Sequence, residues 1–475
     1  KRGVFSTDLS RDMTVKLLVD GLQPGKIYYY AFKYEGGNSP VGRTRTLPVT
    51  ALGKLGIAVA SCSNYPFGYF NAYETIALDP AVDVVLHLGD YIYEYGPDGY
   101  GGASGRAMGR EHQPPREIVG LDDYRQRHAQ YKADPQSQMM HAAHPLIAIW
   151  DDHESTNNSW REGAENHQPE TEGDWATRRE QSLQAYYEWM PVREPGMGLG
   201  RDQYWRHYRF GDLASLVTLE TRLTGRDEQL DYAEFQELLQ TREGVGAFMQ
   251  QHLNAPGRRM LAPEMEAFLD HALRESVAAD RPWRIIGNQI PMARSYIPQI
   301  TDEHLQQLAI DENHPLYDEA QSFKALGPAR LPMFLDAWDG YPWARERFYQ
   351  LSRNAGAEDL LVVTGDSHAF WQNQLFDSDG KPIGLELGTS GITSPSAFAS
   401  LGKEGAALMD TLVAQASPEI LWTEGLTHGY VRLTLTPAEA TVDYVGVSTV
   451  KERAYQPVNV RQTRITRKGG QLNYV

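Results

Sequence analysis

Four short stretches carry residues that could do chemistry: Ser61-Cys62-Ser63-Asn64, Gly89-Asp90-Tyr91-Ile92-Tyr93, Asp151-Asp152-His153-Glu154 and Gly365-Asp366-Ser367-His368. A thiolate, a phenolate and an imidazole together suit a transition metal. Tyrosine ligates mainly strongly Lewis-acidic ions such as ferric iron, which must displace a proton of pKa about 10. Carboxylates without thiolate suit a hard ion such as calcium or magnesium. Asp90, with two carboxylate oxygens, can bridge both kinds of ion. Two metals roughly 3.5–4 Å apart clamp the attacking and leaving oxygens of a displacement at phosphorus, so the expected chemistry is metal-assisted phosphoester hydrolysis. Taken singly, each stretch also has an ordinary reading. Cys62 is the kind of small residue that fills cores, and Gly-Asp is common turn chemistry. Asp151-Asp152-His153-Glu154 reads as a solvated loop with a helix cap. Against that, four ionisable groups straight after an apolar strand repel one another and desolvate badly unless a cation compensates them.

The elements before these stretches are short apolar runs: Leu55-Gly56-Ile57-Ala58-Val59-Ala60, Val82-Asp83-Val84-Val85-Leu86-His87-Leu88, Leu146-Ile147-Ala148-Ile149-Trp150 and Leu360-Leu361-Val362-Val363-Thr364. Strands covered on both faces read this way, and sites in open α/β sheets collect where such strands end. Helices are expected between them, over residues 71–78, 121–132, 175–189, 263–276 and 344–354. The closing runs, residues 429–435 and 440–445, alternate apolar and polar residues and predict an antiparallel hairpin. The opening residues, to about Pro48, read as β-rich, with strand candidates at 14–19 and 27–32 around the turn Gly21-Leu22-Gln23-Pro24-Gly25. Two or three strands do not make a stable sandwich alone. This piece is expected to lean on the rest of the chain or to be part of a larger β-domain.

The chain has 475 residues, enough for one large α/β domain and a small module. With 45 Lys plus Arg against 62 Asp plus Glu, the formal net charge is −17, so there is no bulk attraction for nucleic acid or anionic membrane. No stable nucleic-acid partner is expected. The single cysteine, Cys62, excludes an intrachain disulfide. No apolar run is long enough for a transmembrane helix. No signal peptide is visible, and the first residue is Lys1 rather than methionine, so removal of a leader is expected.

The motifs Ala60-Ser61-Cys62, Leu88-Gly89-Asp90-Tyr91-Ile92-Tyr93-Glu94, Trp150-Asp151-Asp152-His153-Glu154 and Thr364-Gly365-Asp366-Ser367-His368 resemble those of the PhoD-like alkaline phosphatases, a family that includes secreted phospholipases D using iron and calcium. Ala185-Tyr186-Tyr187-Glu188-Trp189-Met190-Pro191, Phe210-Gly211-Asp212-Leu213, Gly287-Asn288-Gln289, Trp338-Asp339-Gly340-Tyr341 and Thr393-Ser394-Pro395 extend the resemblance over most of the chain. It implies an α/β fold: a calcineurin-like αββα sandwich over residues 50–475, behind a partial fibronectin-like β-domain over residues 1–49. Cys62, Asp90, Tyr93 and His368 would hold ferric iron. Asp90, Asp152 and Asp366 would hold one or two calcium ions, with Asn158 a further candidate. A hydroxide made available by the metals would attack phosphorus, and His153 would approach the phosphate or the leaving group.

Arg222 and Asn288 are expected near the substrate, each with a structural alternative: a salt bridge for Arg222 and a strand-end turn for Asn288. Asp339 is a calcium-ligand or turn candidate, and Asn157 reads as loop capping. Tyr91 and Trp371 are candidates for an aromatic wall or for the core, while His87, His141 and His144 read as structural. The expected substrate is a small-molecule phosphomonoester or phosphodiester. A phospholipase D-like activity on phospholipid head groups and a non-catalytic calcium- or phosphate-binding protein are the alternatives. The resemblance also implies twin-arginine export to the periplasm or beyond. Two departures stand out: Asp152 occupies a position where the wider superfamily has asparagine, and Glu220 one where the family has aspartate. Residues 230–255 and 296–331 match no motif and are expected to be lids or surface insertions.

Overall fold

The computed structural model describes all residues from Lys1 to Val475. Two seven-stranded sheets dominate it. In the first, Leu55–Ala60, Val84–His87 and Leu146–Ala148 run parallel. Leu55–Ala60 also pairs antiparallel with Gly429–Leu435, which begins a meander through Glu439–Val447, Pro457–Lys468 and Gln471–Tyr474. In the second, Ala214–Thr218, Trp283–Gly287, Leu360–Thr364 and Pro382–Gly388 are parallel. Arg206–Phe210 and Phe370–Phe376 flank them antiparallel, and Ile420–Glu424 pairs antiparallel with Phe370–Phe376 at the edge.

Side chains alternate across a strand, and the second sheet shows what each face meets. Leu216, Ile285, Leu361 and Val363 join one hydrophobic cluster with Ile57, Val59, Val85, Leu433 and Val442 of the first sheet. Their neighbours Val217, Ile286, Leu360 and Val362 join a second cluster under helices Pro263–Ala278 and Pro342–Asn354. Both faces are therefore buried, which is why these strands are continuously apolar. Helices Asn71–Leu78, Leu121–Ala133 and Trp175–Trp189 contribute Tyr73, Ile76, Tyr124, Leu183 and Tyr186 to the first cluster. Trp175–Trp189 starts where its sequence says it should, because the Asp174 side chain accepts from the Thr177 amide at 3.0 Å.

The expected strand at residues 14–19 is absent, and Val15 and Leu18 are 43% and 62% exposed. An alternating pattern forms a strand only where another strand pairs with it, and none does here. The start of the chain instead has two small ladders, Ile27–Tyr30 with Gly42–Arg45 and Lys33–Tyr34 with Gly37–Asn38. This piece leans on the rest through polar contacts: Trp189 Nε1 donates to Asp12 Oδ2 at 3.0 Å, and Arg125 to the Ser10 carbonyl at 2.9 Å. The two segments without motifs pack on each other, Phe248 and Leu253 against Ile297 and Leu331. No helix is long and apolar enough to cross a membrane.

Candidate metal centre

The parallel strands deliver their following loops to one edge. Loop contacts then tie the ends together: the Cys62 amide donates to the Gly89 carbonyl at 3.2 Å, and the Ser63 amide to the Asp90 carbonyl at 2.9 Å. The second sheet joins through Ile392, whose amide donates to the Ser61 carbonyl at 2.9 Å. Both Gly-Asp motifs need their glycine. A Cβ on Gly89, whose φ is +107°, would lie 2.3 Å from the Asp151 nitrogen, and one on Gly365 would lie 2.4 Å from Ser61 Oγ.

The result is a compact donor set. Ligand atoms of Cys62, Asp90 and His368 lie within 4.8 Å of one another, as do those of Asp90, Asp152 and His153, and those of Asp90, Asp151, Asp152 and Asp366. Asp90 belongs to all three groups. Tyr93 Oη donates to Asp90 Oδ2 at 3.1 Å and lies 3.3 Å from His368 Nε2. Cys62, Asp90, Tyr93 and Asp152 are buried, while Asp366 and His368 are partly exposed and mark the open side.

The backbone is distorted at the same places. Ten non-glycine residues have positive φ, and five of them are Cys62, Asp90, Asn158, Asp366 and His368. A left-handed conformation costs a non-glycine residue on the order of 1–3 kcal/mol and collects at functional sites.

The site fits metal ions on two observations. Asp90 Oδ1, Asp151 Oδ2 and Asp152 Oδ1 are buried without a hydrogen-bond partner. Burial, together with repulsion between the acids, pushes the Asp90 and Asp151 carboxyls well above the carboxylate range and Asp366 up to about 7. Ionising the set together requires cationic charge. Burial also pushes the Cys62 thiol and the Tyr93 phenol up, so each becomes a ligand only by losing its proton to a metal. His368 is held down to about 4, mainly by burial, and is therefore neutral. Its Nδ1 lies 2.9 Å from the Pro395 carbonyl, which assigns the proton there and leaves Nε2 for the cluster.

Two glutamates shape the site; the sequence offered Glu154 only as part of an acidic run and Glu94 only as the end of a motif, with no role for either. Glu94 Oε2 accepts from His153 Nδ1 at 2.7 Å, and its other oxygen accepts from the Asn157 amide at 2.8 Å. Burial opposes a charged His153, but Asp152, Glu94 and Asp90 overcome it and hold the imidazolium well above the histidine range. Glu154 accepts from three amides: Asp90 at 3.0 Å, Tyr91 at 2.7 Å and Asp151 at 2.8 Å. It staples together loops that follow two different strands. Asp151, read only as part of an acidic run, joins the carboxylate group itself.

Several expected residues lie elsewhere or are already engaged. Arg222 is fully buried, bound to Asp151 at 2.5 Å, Asp336 at 2.9 Å and Asp366 at 3.3 Å. It is a counter-ion within the acidic cluster, and its salt-bridge reading is the one the contacts match. Asn288 faces the core, donating to the Ile290 carbonyl at 2.6 Å and accepting from Trp338 Nε1 at 3.2 Å. The Asn158 side chain donates to Glu165 at 2.6 Å, and only its backbone amide reaches Asp152, also at 2.6 Å. Asp339 is bound by Arg345 and Ser295. Tyr91 and Trp371 are core residues, 1% and 6% exposed. His87 lies 2.7 Å from Tyr73 Oη, and His144 2.9 Å from the Ile76 carbonyl. A cleft of about 780 Å³ lined by Arg294, Tyr296, Arg330 and Trp343 includes Asp339 but none of the residues of the strand-end cluster.

Comparison with known proteins gives the same picture. The sequence pattern of the PhoD-like phosphatases matches residues 57–444, and that of the N-terminal domain of PhoD-like phosphatases matches residues 1–48. The chain is 34% identical over 452 residues to alkaline phosphatase D of Bacillus subtilis (strain 168), covering 94% of this chain and 68% of that protein. It superposes on the solved structure of PhoD with a TM-score of 0.77 at 32% identity, over 98% of this chain and 80% of the other. A shared pattern over most of the chain, a shared fold and a donor set suited to metals lead to one conclusion: the chain belongs to the PhoD-like phosphatase family and is a metal-dependent phosphoester hydrolase.

Proposed function

We propose that the strand-end cluster is the active centre of a calcineurin-like αββα catalytic domain over residues 50–475, with residues 1–49 a partial fibronectin-like β-domain. Cys62, Asp90, Tyr93 and His368 hold ferric iron, the ion that a thiol and a phenol both forced to ionise would suit. Asp90, Asp152 and Asp366 hold one or two calcium ions, with Asp151 beside them. When bound, the iron and calcium ions would supply Lewis acidity that lowers the pKa of water and offsets charge on the phosphoryl oxygens. Asp90 keeps the two halves of the donor set in register, and Arg222 neutralises the acids that no ion reaches. His153 Nε2–H points away from Glu94 and donates its proton to the leaving-group oxygen as the P–O bond breaks. Glu94 keeps the other ring proton on Nδ1 and so fixes which nitrogen delivers.

Substrates in this proposal are small-molecule phosphomonoesters and phosphodiesters. Twin-arginine export to the periplasm or beyond rests on the family resemblance. The supporting observation is that Asp90 is common to all three ligand groups while its own backbone is left-handed. The test compares Asp90→Asn with Asn288→Ala. Asp90→Asn is expected to lose at least about a hundredfold in kcat/KM together with bound metal, whereas Asn288→Ala loses less than about tenfold. Equal losses would contradict the assignment.

A further inference from the structure

The open side of the cluster is bordered by aromatic rings that the proposed chemistry does not use. Tyr95 packs on His153 with ring centres 5.5 Å apart, and Tyr100 lies parallel to His368 at 6.4 Å and 11°. Tyr95 and Tyr100 are 5.9 Å apart at 70°, and Phe67 continues the wall, 4.7 Å from Tyr100 at 61°. All three rings are partly exposed, unlike Tyr93, which is fully buried beside them. Tyr93 also packs on His153, its ring centre 4.2 Å from that of the imidazole.

We propose that Phe67, Tyr95 and Tyr100 form the leaving-group subsite, and that it selects phosphoesters whose alcohol carries a planar aromatic ring, aryl or nucleobase, over those of small polyols. This rests on the reading of His153 as the group facing the leaving oxygen. An alcohol whose oxygen faces His153 has its next atoms against Tyr95, the partly exposed ring of the two packed on the imidazole. The rings meet one another edge to face, so a planar guest can stack on one and meet the edge of the next. Such aromatic pairs contribute about 0.5–1.5 kcal/mol beyond the area they bury. That corresponds to a preference of roughly two- to tenfold for a ring over a saturated group of the same size.

The test uses phosphonates as competitive inhibitors, so that leaving-group chemistry does not enter. Inhibition constants are measured for methyl-, cyclohexyl- and phenylphosphonate against hydrolysis of p-nitrophenyl phosphate by the metal-loaded protein. Phenylphosphonate is expected to bind most tightly, about threefold or more ahead of cyclohexylphosphonate, with methylphosphonate weakest. In Tyr95→Leu the phenyl-to-cyclohexyl preference is expected to fall to about one, and in Tyr95→Phe to survive. Cyclohexylphosphonate binding as tightly as phenylphosphonate to the unmodified protein would overturn the subsite, whether or not Tyr95→Leu folds. So would a ring preference undiminished in Tyr95→Leu. If none of the three inhibits, the placement of phosphorus at the cluster is wrong, and the subsite falls with it.

Discussion

Glu154→Gln removes one of the two carboxylate oxygens on which the Asp90, Tyr91 and Asp151 amides converge. Burial pushes Glu154 up to about 7, so it is a charged acceptor at pH 8; there, hydrogen bonds to it contribute about 1.5–3 kcal/mol each, about 5–9 kcal/mol for the three. The glutamine keeps one acceptor oxygen and turns an NH2 donor toward at least one amide donor, so the loss is about 2–5 kcal/mol. A domain is stable by about 5–15 kcal/mol, so the variant is expected to fold and to melt earlier. The stapled loops carry Asp90, Asp151 and Asp152, so part of the loss is expected to surface as weaker metal retention. At 1.4 kcal/mol per factor of ten, a 2 kcal/mol share lowers affinity roughly thirtyfold. The assay is residual hydrolysis of p-nitrophenyl phosphate after equilibration with graded chelator, beside thermal unfolding at saturating iron and calcium. The chelator midpoint is expected to fall at least about tenfold and the melting temperature to drop. A variant that melts normally and tolerates chelator like the unmodified protein would refute the staple.

Three further perturbations probe other parts. Glu94→Gln is expected to lower kcat about 10- to 100-fold on an alkyl phosphate but far less on p-nitrophenyl phosphate, whose leaving group needs little protonation; equal losses on both would argue against His153 as the acid. Tyr93→Phe is expected to abolish the visible charge-transfer band of the iron-loaded protein, and a band left unchanged would exclude the phenolate as ligand. Burial pushes Glu386 from 4.5 up to about 7, against the hydrogen bonds it accepts from the Met292 and Ala293 amides and Thr364. A carboxyl that binds its proton more tightly folded than unfolded adds stability below about pH 4.5 and loses it as the pH rises through about 7. Glu386→Gln has no such titration, so its stability relative to the unmodified protein is expected to rise by up to about 3 kcal/mol from pH 4.5 to 8. Urea unfolding of both proteins at the two pH values checks this, and a difference independent of pH would refute it.

The parallel strands were legible in the sequence because burial on both faces leaves them continuously apolar. Leu55–Ala60 and Leu360–Thr364 fall where their apolar runs lie. Leu146–Ala148 stops two residues earlier than its run, because Ile149 and Trp150 leave the ladder to carry Asp151 and Asp152 into the site. Ligand chemistry at strand ends was legible for the same reason: the apolar run locates the edge and the next residues state what is there. Tertiary contacts were not. Glu94 and Glu154 act through amides and a ring about sixty positions away, and Arg222 through acids between 71 and 144 positions away. Asn288 looked like a site residue because it follows a strand of the second sheet, yet its bonds to Ile290 and Trp338 turn it into the core. Tyr91 and Trp371 read as aromatic wall or core, and both are core; the partly exposed rings beside the cluster, Tyr95 and Tyr100, had no signal in the sequence.

The central claim is tested most directly by elemental analysis and reconstitution of protein purified without chelator. Iron and calcium are expected to co-purify, chelation to abolish phosphoester hydrolysis, and only iron and calcium together to restore it. Full activity of the metal-free protein, or restoration by zinc alone, would contradict the centre assembled from Cys62, Asp90, Tyr93, Asp152, Asp366 and His368.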